Sequence, residues 1–507
     1  MRDFRPKLHF TPPAGWTNDP NGLVYYGGKY HMFYQHNPDG AVWGPMHWGH
    51  AASADLVRWE HLPVALYPDQ EGMIFSGSAA VDAGNISGLG TNGALPLIAM
   101  YTCNGDRQEQ AIAYSTDGVC FRKYGKNPVI PNPGITDFRD PKMFWNPVKS
   151  CWSMVLAAAD RVHFYTSKDM LCWVKTGEFG PAGNYAPGIW ECPDMVRIAW
   201  RDRTLWALIV SIVTAPEDGG AITQYFLGDF DGDSFTNTIP FGHAELLDCG
   251  PDNYAGVTFN NLEGTGPVFV AWGSNWAYAN ETPSSGFRGQ MTIPRLLSIK
   301  ETPAGPRLAS KPIDGISGYM DGYTGGYTGG YMGGYTGGFT GGEDAIKCEN
   351  AIKREGPIGS ETFRLHIDGS GACSVKILNA QGQYLSFGVD GQNNLFADRS
   401  RAGADDFNKY FASPSFGVKR TKRLFEGAYS LDFIFDVSIM ELFIDGGTRS
   451  MTMACYPGAP YSSFKIDGDA EVTLHAMSGS RRGVATLGSF AYSACRLDHR
   501  GIPLAHS

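Results

Sequence analysis

A short pattern that returns four times constrains this chain more than any other feature. Ser53-Ala-Asp55-Leu-Val-Arg-Trp59 recurs as Ser115-Thr-Asp117-Gly-Val-Cys-Phe121 and as Ser167-Lys-Asp169-Met-Leu-Cys-Trp173. A looser copy is Asp229-Phe-Asp231-Gly-Asp-Ser-Phe235, and the aspartates at 55, 117, 169 and 231 are 62, 52 and 62 residues apart. Each copy follows an apolar, strand-like run and sets Asp just before an aromatic residue. That reads as a turn, because Asp bonds its own backbone and Asp-Gly reverses a chain. A unit of this length holds about four strands, and radial repetition of four-stranded units makes a β-propeller. With flanking sequence completing one more unit, five blades are expected. The runs "PLIAMYT", "CWSMVLAAA", "TLWALIVSIV" and "GPVFVAWGS" read as buried strands, and "GLVYYGGKYHMFYQ" as a hairpin turning at Gly27-Gly28.

Near residue 316 the composition changes. Residues 319–342 are six tetrapeptides, "YMDG YTGG YTGG YMGG YTGG FTGG". So much Gly makes regular structure costly, so a flexible spacer is expected, the other reading being tyrosine rings lying along a neighbouring surface. Beyond it, "FRLHI", "CSVKILNA", "YLSFGV", "YSLDFIFDVSIMELFIDGG" and "AEVTLHAM" give strands and Gly turns again, which suits a β-sandwich. The division expected is all-β throughout: a five-bladed propeller over 1–316, a Tyr/Gly linker over 317–342 and a sandwich over 343–507.

Composition narrows the partners. The 507 residues are 43% hydrophobic and 18% charged, which is globular and too long for one core. A net charge of −10 with no Lys/Arg-rich run excludes nucleic acid and anionic membranes as expected partners. Aromatics reach 13%, which suits flat surfaces for carbohydrate. No stretch is long and apolar enough for a membrane helix. "MRDFRPKLHFTPPAG" lacks an apolar signal core, so a cytoplasmic location is expected, a trimmed secreted form also fitting. The sequons at Asn85 and Asn280 matter only in a secretory pathway. Ten scattered cysteines without C-x-x-C are expected to be free, buried thiols.

Several chemical motifs fail on context. Gly88-Leu-Gly90-Thr-Asn-Gly93 leads into a strand, not a helix, so it binds no dinucleotide. There is no G-x-S-x-G nucleophile elbow. His47 and His50 have no acid partner in a helical setting, so a structural place or one near a pocket rim is expected, not metal ligation. The acids are more informative. Asp19 in "GWTNDPNG", Asp140 in "FRDP" and Glu191 in "WECPD" each stand beside a proline-bearing turn and outside the repeating turn position. In a propeller, acids one or two blades apart can converge at the mouth of the axial channel. Glycosidic cleavage needs such a set, with one acid to protonate the leaving oxygen and one carboxylate at the developing oxocarbenium carbon.

In that order, "GWTNDPNG", "FRDP" and "WECPD" resemble the signature blocks of glycoside hydrolase family 32, the invertases, exo-inulinases and levanases. "YQHNP", "WGPMHWGHAAS", "IFSGSA", "NWAYANETPSSGFRG", "DRS" at 398–400 and "ELFIDGG" resemble further blocks, so the likeness spans nearly the whole chain except the Tyr/Gly repeats. The resemblance implies a five-bladed propeller with a β-sandwich, and retaining exo-β-fructosidase activity on sucrose, inulin or levan without cofactor or metal. It implies Asp19 as nucleophile, Glu191 as acid/base and Asp140 as transition-state stabiliser. It further implies that Asn18, Gln35, Trp43, Phe75, Ser76, Arg139 and Trp276 line the fructosyl pocket. Thr17 departs from the family's usual Met, which leaves the balance of hydrolysis and transfer open. A fructosyltransferase and a non-catalytic fructan-binding protein are the alternatives, and three intact acids argue against the second.

Overall fold

The computed structural model describes residues 2–183, 188–239, 245–283, 286–319 and 354–476. Five sheets, each built on four antiparallel strands that follow one another in the chain, are arranged as blades, and two of them carry one further short strand. Their innermost strands are Gly15–Tyr26, Met73–Val81, Phe138–Asn146, Ile189–Trp200 and Tyr254–Thr258 for blades I to V. Each inner strand touches the next, and that of blade V touches that of blade I, so the ring is closed. Closure is also made by backbone pairing: Phe287–Arg288, beyond the second strand of blade V, lies parallel to Gly15 and Trp16 of blade I. Apolar cores fill the spaces between successive blades, such as Phe33 and Trp48 against Ile74 and Tyr101. Strands covered on both faces carry the near-continuous apolar runs seen in the sequence.

The four repeated aspartates all join the third strand of a blade to the fourth. In each copy Oδ1 accepts two backbone N–H bonds of 2.7–2.9 Å, from Val57 and Arg58, Val119 and Cys120, Leu171 and Cys172, or Asp233 and Ser234. The next residue is left-handed every time: Leu56 at φ 66°, Gly118 at 74°, Met170 at 60° and Gly232 at 100°. Glycine adopts that conformation without strain, which is why two copies read Asp-Gly. Blade V turns instead through Thr302–Gly305, with the Thr302 hydroxyl donating to the Gly305 carbonyl at 2.6 Å. A different turn chemistry accounts for the missing fifth copy.

The C-terminal part is a sandwich folded around one long strand, Thr362–Asn379. Its first half pairs with Tyr429–Asp436, followed outward by Ile439–Ile444 and Arg449–Ala454. Its second half pairs with Tyr384–Val389, followed by Asn394–Arg401 and Val418–Lys422. Tyr461–Ala476 runs beside both halves, with a register break between Gly369 and Cys373 where the strand passes from one sheet to the other. An aromatic and aliphatic core lies between, including Phe387 stacked on Phe433 at 4.0 Å.

Buried charges lock sandwich to propeller. Arg295 of blade V, fully buried, donates to Asp248 at 2.9 Å and to Glu441 at 2.7 Å. His9 bridges Asp436 at 2.9 Å and Glu441 at 3.1 Å. Arg399 of "DRS" donates to Asp252 at 2.7 Å. Of the Tyr/Gly tetrapeptides, residues 320–342 lie outside the described residues.

Candidate active site

The acid–proline motifs are strand irregularities. Every inner strand loses register with its neighbour near the channel mouth: between Thr17 and Pro20, Ile74 and Gly77, Arg139 and Lys142, Glu191 and Asp194, and Tyr254 and Val257. Pro141 and Pro193 fall inside two of these breaks and Pro20 bounds a third; a proline, which cannot donate to the ladder, costs least where the ladder is already interrupted. Asp140, Cys192 and Ala255 adopt positive φ there, at 68°, 44° and 55°. A break of this kind re-aims a side chain that a regular strand would bury in the sheet. Non-glycine residues at positive φ gather where a fold holds them for a purpose.

The re-aimed side chains meet. Asn18, Asp19, Gln35, Trp43, Phe75, Ser76, Arg139, Asp140, Glu191 and Trp276 line one cavity of about 350 Å³. Every residue anticipated from the sequence is there. Asp19 accepts from the Ser76 hydroxyl at 2.6 Å and from the Asn18 amide at 2.9 Å. Asn18 is itself held by the Trp16 indole at 2.7 Å. Asp140 accepts the Cys192 N–H at 2.9 Å, and the Cys192 thiol lies 3.4 Å from Asp19 and 3.6 Å from Asp140. Glu191 is gripped from two sides, by Arg139 at 2.6 Å and by the Tyr254 hydroxyl.

Three acids this close cannot all ionise freely. Burial pushes the Asp19 carboxyl above its usual range; the Ser76 bond opposes this and the charge of Glu191 adds to it. Burial likewise lifts Asp140 to about 7, against the pull of Arg139 and with the push of Glu191 and Asp19. The cluster as a whole therefore retains a proton near neutral pH. Tyr254, raised well above its ordinary value mainly by burial, stays a hydrogen-bond donor.

Aromatic rings shape the walls. Trp276 stacks near Trp16 at 6.0 Å and leans on Trp272 at 4.8 Å, while Trp43, 41% exposed, stands edge-on to Phe75 at the rim. Gln35 is fixed by Asn21 and the Ile74 carbonyl, both at 2.9 Å. Thr17 does not reach the cavity: it is fully buried and its hydroxyl donates to the Gln35 carbonyl at 3.0 Å. Gly289 packs so close to Thr17 that an added Cβ would sit 2.0 Å from its carbonyl oxygen, so only glycine fits.

Sequence reading missed four contributors. Gln108 and Asp137 complete the lining, both bonded to Arg139, at 3.2 and 2.5 Å. Asp137 stands two residues before Arg139 and could have been read as part of the same motif. Thr102 accepts the Asp140 N–H at 2.9 Å, and Tyr254 holds Glu191; neither carries a local signal. His50 is a core residue, stacked on Phe33 at 4.1 Å, and His47 packs on Tyr67. The Gly88–Gly93 segment is a loop between two strands of blade II. The eight described cysteines form no disulfide with one another, but Cys120 and Cys172 are exposed, because they sit in the repeated turns. Cys348 and Cys495 lie outside the described residues.

A propeller whose channel mouth gathers three carboxylates, an arginine and aromatic walls has the parts that a glycoside hydrolase requires. The chain belongs to glycosyl hydrolases family 32: the family's N-terminal domain matches residues 9–312 and its C-terminal domain residues 352–480. It is 41% identical over 466 residues to a levanase of Bacillus subtilis, covering 90% of this chain and 67% of that protein. It is 40% identical over 319 residues to an invertase of Schizosaccharomyces pombe, covering 60% of this chain and 54% of that protein. The crystal structure of an exo-inulinase from Aspergillus awamori superposes with a TM-score of 0.82 at 29% identity, covering 94% of this chain and 99% of that one.

Proposed function

We propose that the protein is a retaining exo-β-fructosidase that releases terminal nonreducing β-D-fructofuranosyl units from sucrose or from fructans. The observation that carries this reading is the convergence of Asp19, Asp140 and Glu191 in one small, aromatic-walled cavity. Its volume of about 350 Å³ lies near the low end of the ~300–1,000 Å³ usual for small-molecule sites, which suits a single terminal sugar unit and its bond. The relatives named levanase, invertase and exo-inulinase support the substrate class. The division into a propeller over 1–316, a linker over 317–342 and a sandwich over 343–507 belongs to the same reading, supported by family matches that end at 312 and resume at 352.

The bonding supports the roles that the family resemblance implies. Asp19, its oxygens held by Ser76 and Asn18, attacks the anomeric carbon as Glu191 passes a proton to the leaving oxygen. This leaves a covalent fructosyl–enzyme. Glu191 then takes a proton from water, and that water releases fructose from Asp19. Asp140, partly protonated near neutrality, both donates to and accepts from the sugar hydroxyls. Arg139 and Tyr254 orient Glu191 between its two roles, so both are positioning groups.

The test is stereochemical and mutational. Fructose should appear first as the β-anomer when sucrose cleavage is followed by NMR. Asp19→Asn should lose turnover by orders of magnitude with its circular dichroism unchanged. Glu191→Gln should disable sucrose cleavage yet spare formation of the intermediate from a substrate whose leaving group needs no proton. An initial α-anomer, or an active Asp19→Asn enzyme, overturns the assignment. Free fructose measured against oligomer products, over a range of sucrose concentrations, separates hydrolysis from fructosyl transfer and from binding without turnover.

A further inference from the structure

Arg139 holds two carboxylates at once, and one of them stands outside the set of three acids. Its Nε and Nη2 donate to Glu191 at 3.2 and 2.6 Å. Its Nη1, on another edge of the guanidinium, donates to Asp137 at 2.5 Å and to the Gln108 side-chain carbonyl at 3.2 Å. Both outer acceptors are fixed. Asp137 stands just before the inner strand of blade III at a left-handed φ of 58°, and its backbone carbonyl accepts the Ala159 N–H at 3.0 Å. Gln108 opens the third strand of blade II and donates to the Asn104 side chain at 3.1 Å. Among the described residues that line the cavity, Arg139 is the only cation, and it stands among four carboxyls: Asp19, Asp137, Asp140 and Glu191. How its charge is divided therefore matters to each of them.

Glu191 has to hold a proton until the leaving oxygen takes it. Arg139 opposes this, because an adjacent cation favours the ionised carboxylate. The other titratable groups that face Glu191 are the Asp19 and Asp140 carboxyls, the Tyr254 hydroxyl and the Cys192 thiol. Among the described residues the Asp137 carboxylate bonds only Arg139, so whatever it does for the site passes through the guanidinium. There it offsets part of the positive charge and pins Nη1. We infer that Asp137 is a positioning residue: by sharing Arg139, it lets Glu191 keep the proton that the leaving group needs. The inference rests on the fructosidase reading and adds what limits that enzyme at high pH.

The experiment records kcat/KM against pH for the full chain with two substrates. Sucrose needs a protonated Glu191, whereas β-D-fructosyl fluoride loses an anion that needs no proton. Asp137→Asn keeps an oxygen for Nη1, suits the left-handed backbone and removes the charge. With sucrose, its high-pH limb should move down by about 0.5–1 pH unit, a modest shift because solvent screens the charge. The Asp137 side chain is 25% exposed. With the fluoride, the variant's rate at high pH should follow the parent's. Gln108→Glu puts a carboxylate against the same Nη1, so it should move the sucrose limb up. Asp137→Asn/Gln108→Glu should bring that limb back near the parent's position. The position of a limb does not depend on how much of the enzyme is active, so partial misfolding cannot imitate these shifts. An unmoved sucrose limb in Asp137→Asn, or the same loss with both substrates at every pH, overturns the role of Asp137. A parent chain that cleaves neither substrate overturns the fructosidase reading, and this inference with it.

Discussion

Asp140 works against its own ionisation, and stability should show it. Its carboxyl titrates near 7 in the fold, against an ordinary value of 3.8. The native state therefore binds more protons than the unfolded chain between those values, and stability falls as pH rises through that interval. Above about 7 the buried charge has its full cost. Asp140→Asn keeps the shape and removes the charge. It should melt several degrees higher than the parent at pH 8, with the difference gone at pH 3.5, while turnover falls by orders of magnitude. Thermal melts at the two pH values check this, and a parent-like melting point at pH 8 contradicts it. Sites of this kind commonly trade stability for activity.

At the scale of single elements, the repeated turn and the strand break look alike in sequence, since both are Asp-rich and sit beside turn formers. They differ in what the carboxylate meets. The aspartate of the repeat spends Oδ1 on two N–H groups of its own turn, as Asp117 does with Val119 and Cys120. The acids of the site bond across blades, as Asp19 does with Ser76. Asp117→Ala should therefore cost about 0.5–1.5 kcal/mol of stability and leave kcat/KM for sucrose unchanged. Denaturant unfolding and sucrose kinetics on one preparation test both halves. A loss of activity without loss of stability would mean that the outer turn communicates with the site.

For the whole molecule, the join between propeller and sandwich makes folding pH-dependent. Burial alone would depress His9, but its bonds and charge interactions with Asp436 and Glu441 prevail and raise it to about 9. An unfolded histidine titrates near 6.5. The contribution is thus complete below about 6.5, declines as pH rises and is gone above about 9. Asp436 and Glu441 are held below their ordinary ranges, despite burial, by His9 and Arg295, so their part is lost only in acid. His9→Gln should lower the melting temperature clearly at pH 6 and hardly at pH 10. An equal drop at both values would show that packing, not charge, is what His9 supplies.

The sequence by itself determined the propeller repeat, the sandwich and the three acids of the cavity, for physical reasons that are local, while the other lining residues it named came from the family resemblance. A turn needs its Asp, a buried strand needs its apolar run, and a strand break that turns an acid inward tolerates proline; each is written within a few adjacent residues. Only the tertiary structure decided what surrounds them. Tyr254 lies 63 residues from Glu191 and Thr102 lies 38 from Asp140, and no periodicity links either pair until the blades close into a ring. The same holds for "ELFIDGG" and "DRS", whose Glu441 and Arg399 turn out to pair with Arg295 and Asp252 across the domain join. It holds too for Thr17, whose departure from the family pattern is absorbed by Gln35 and Gly289 outside the cavity. Short-range preferences choose the elements, whereas burial and charge are set by which elements come to face one another.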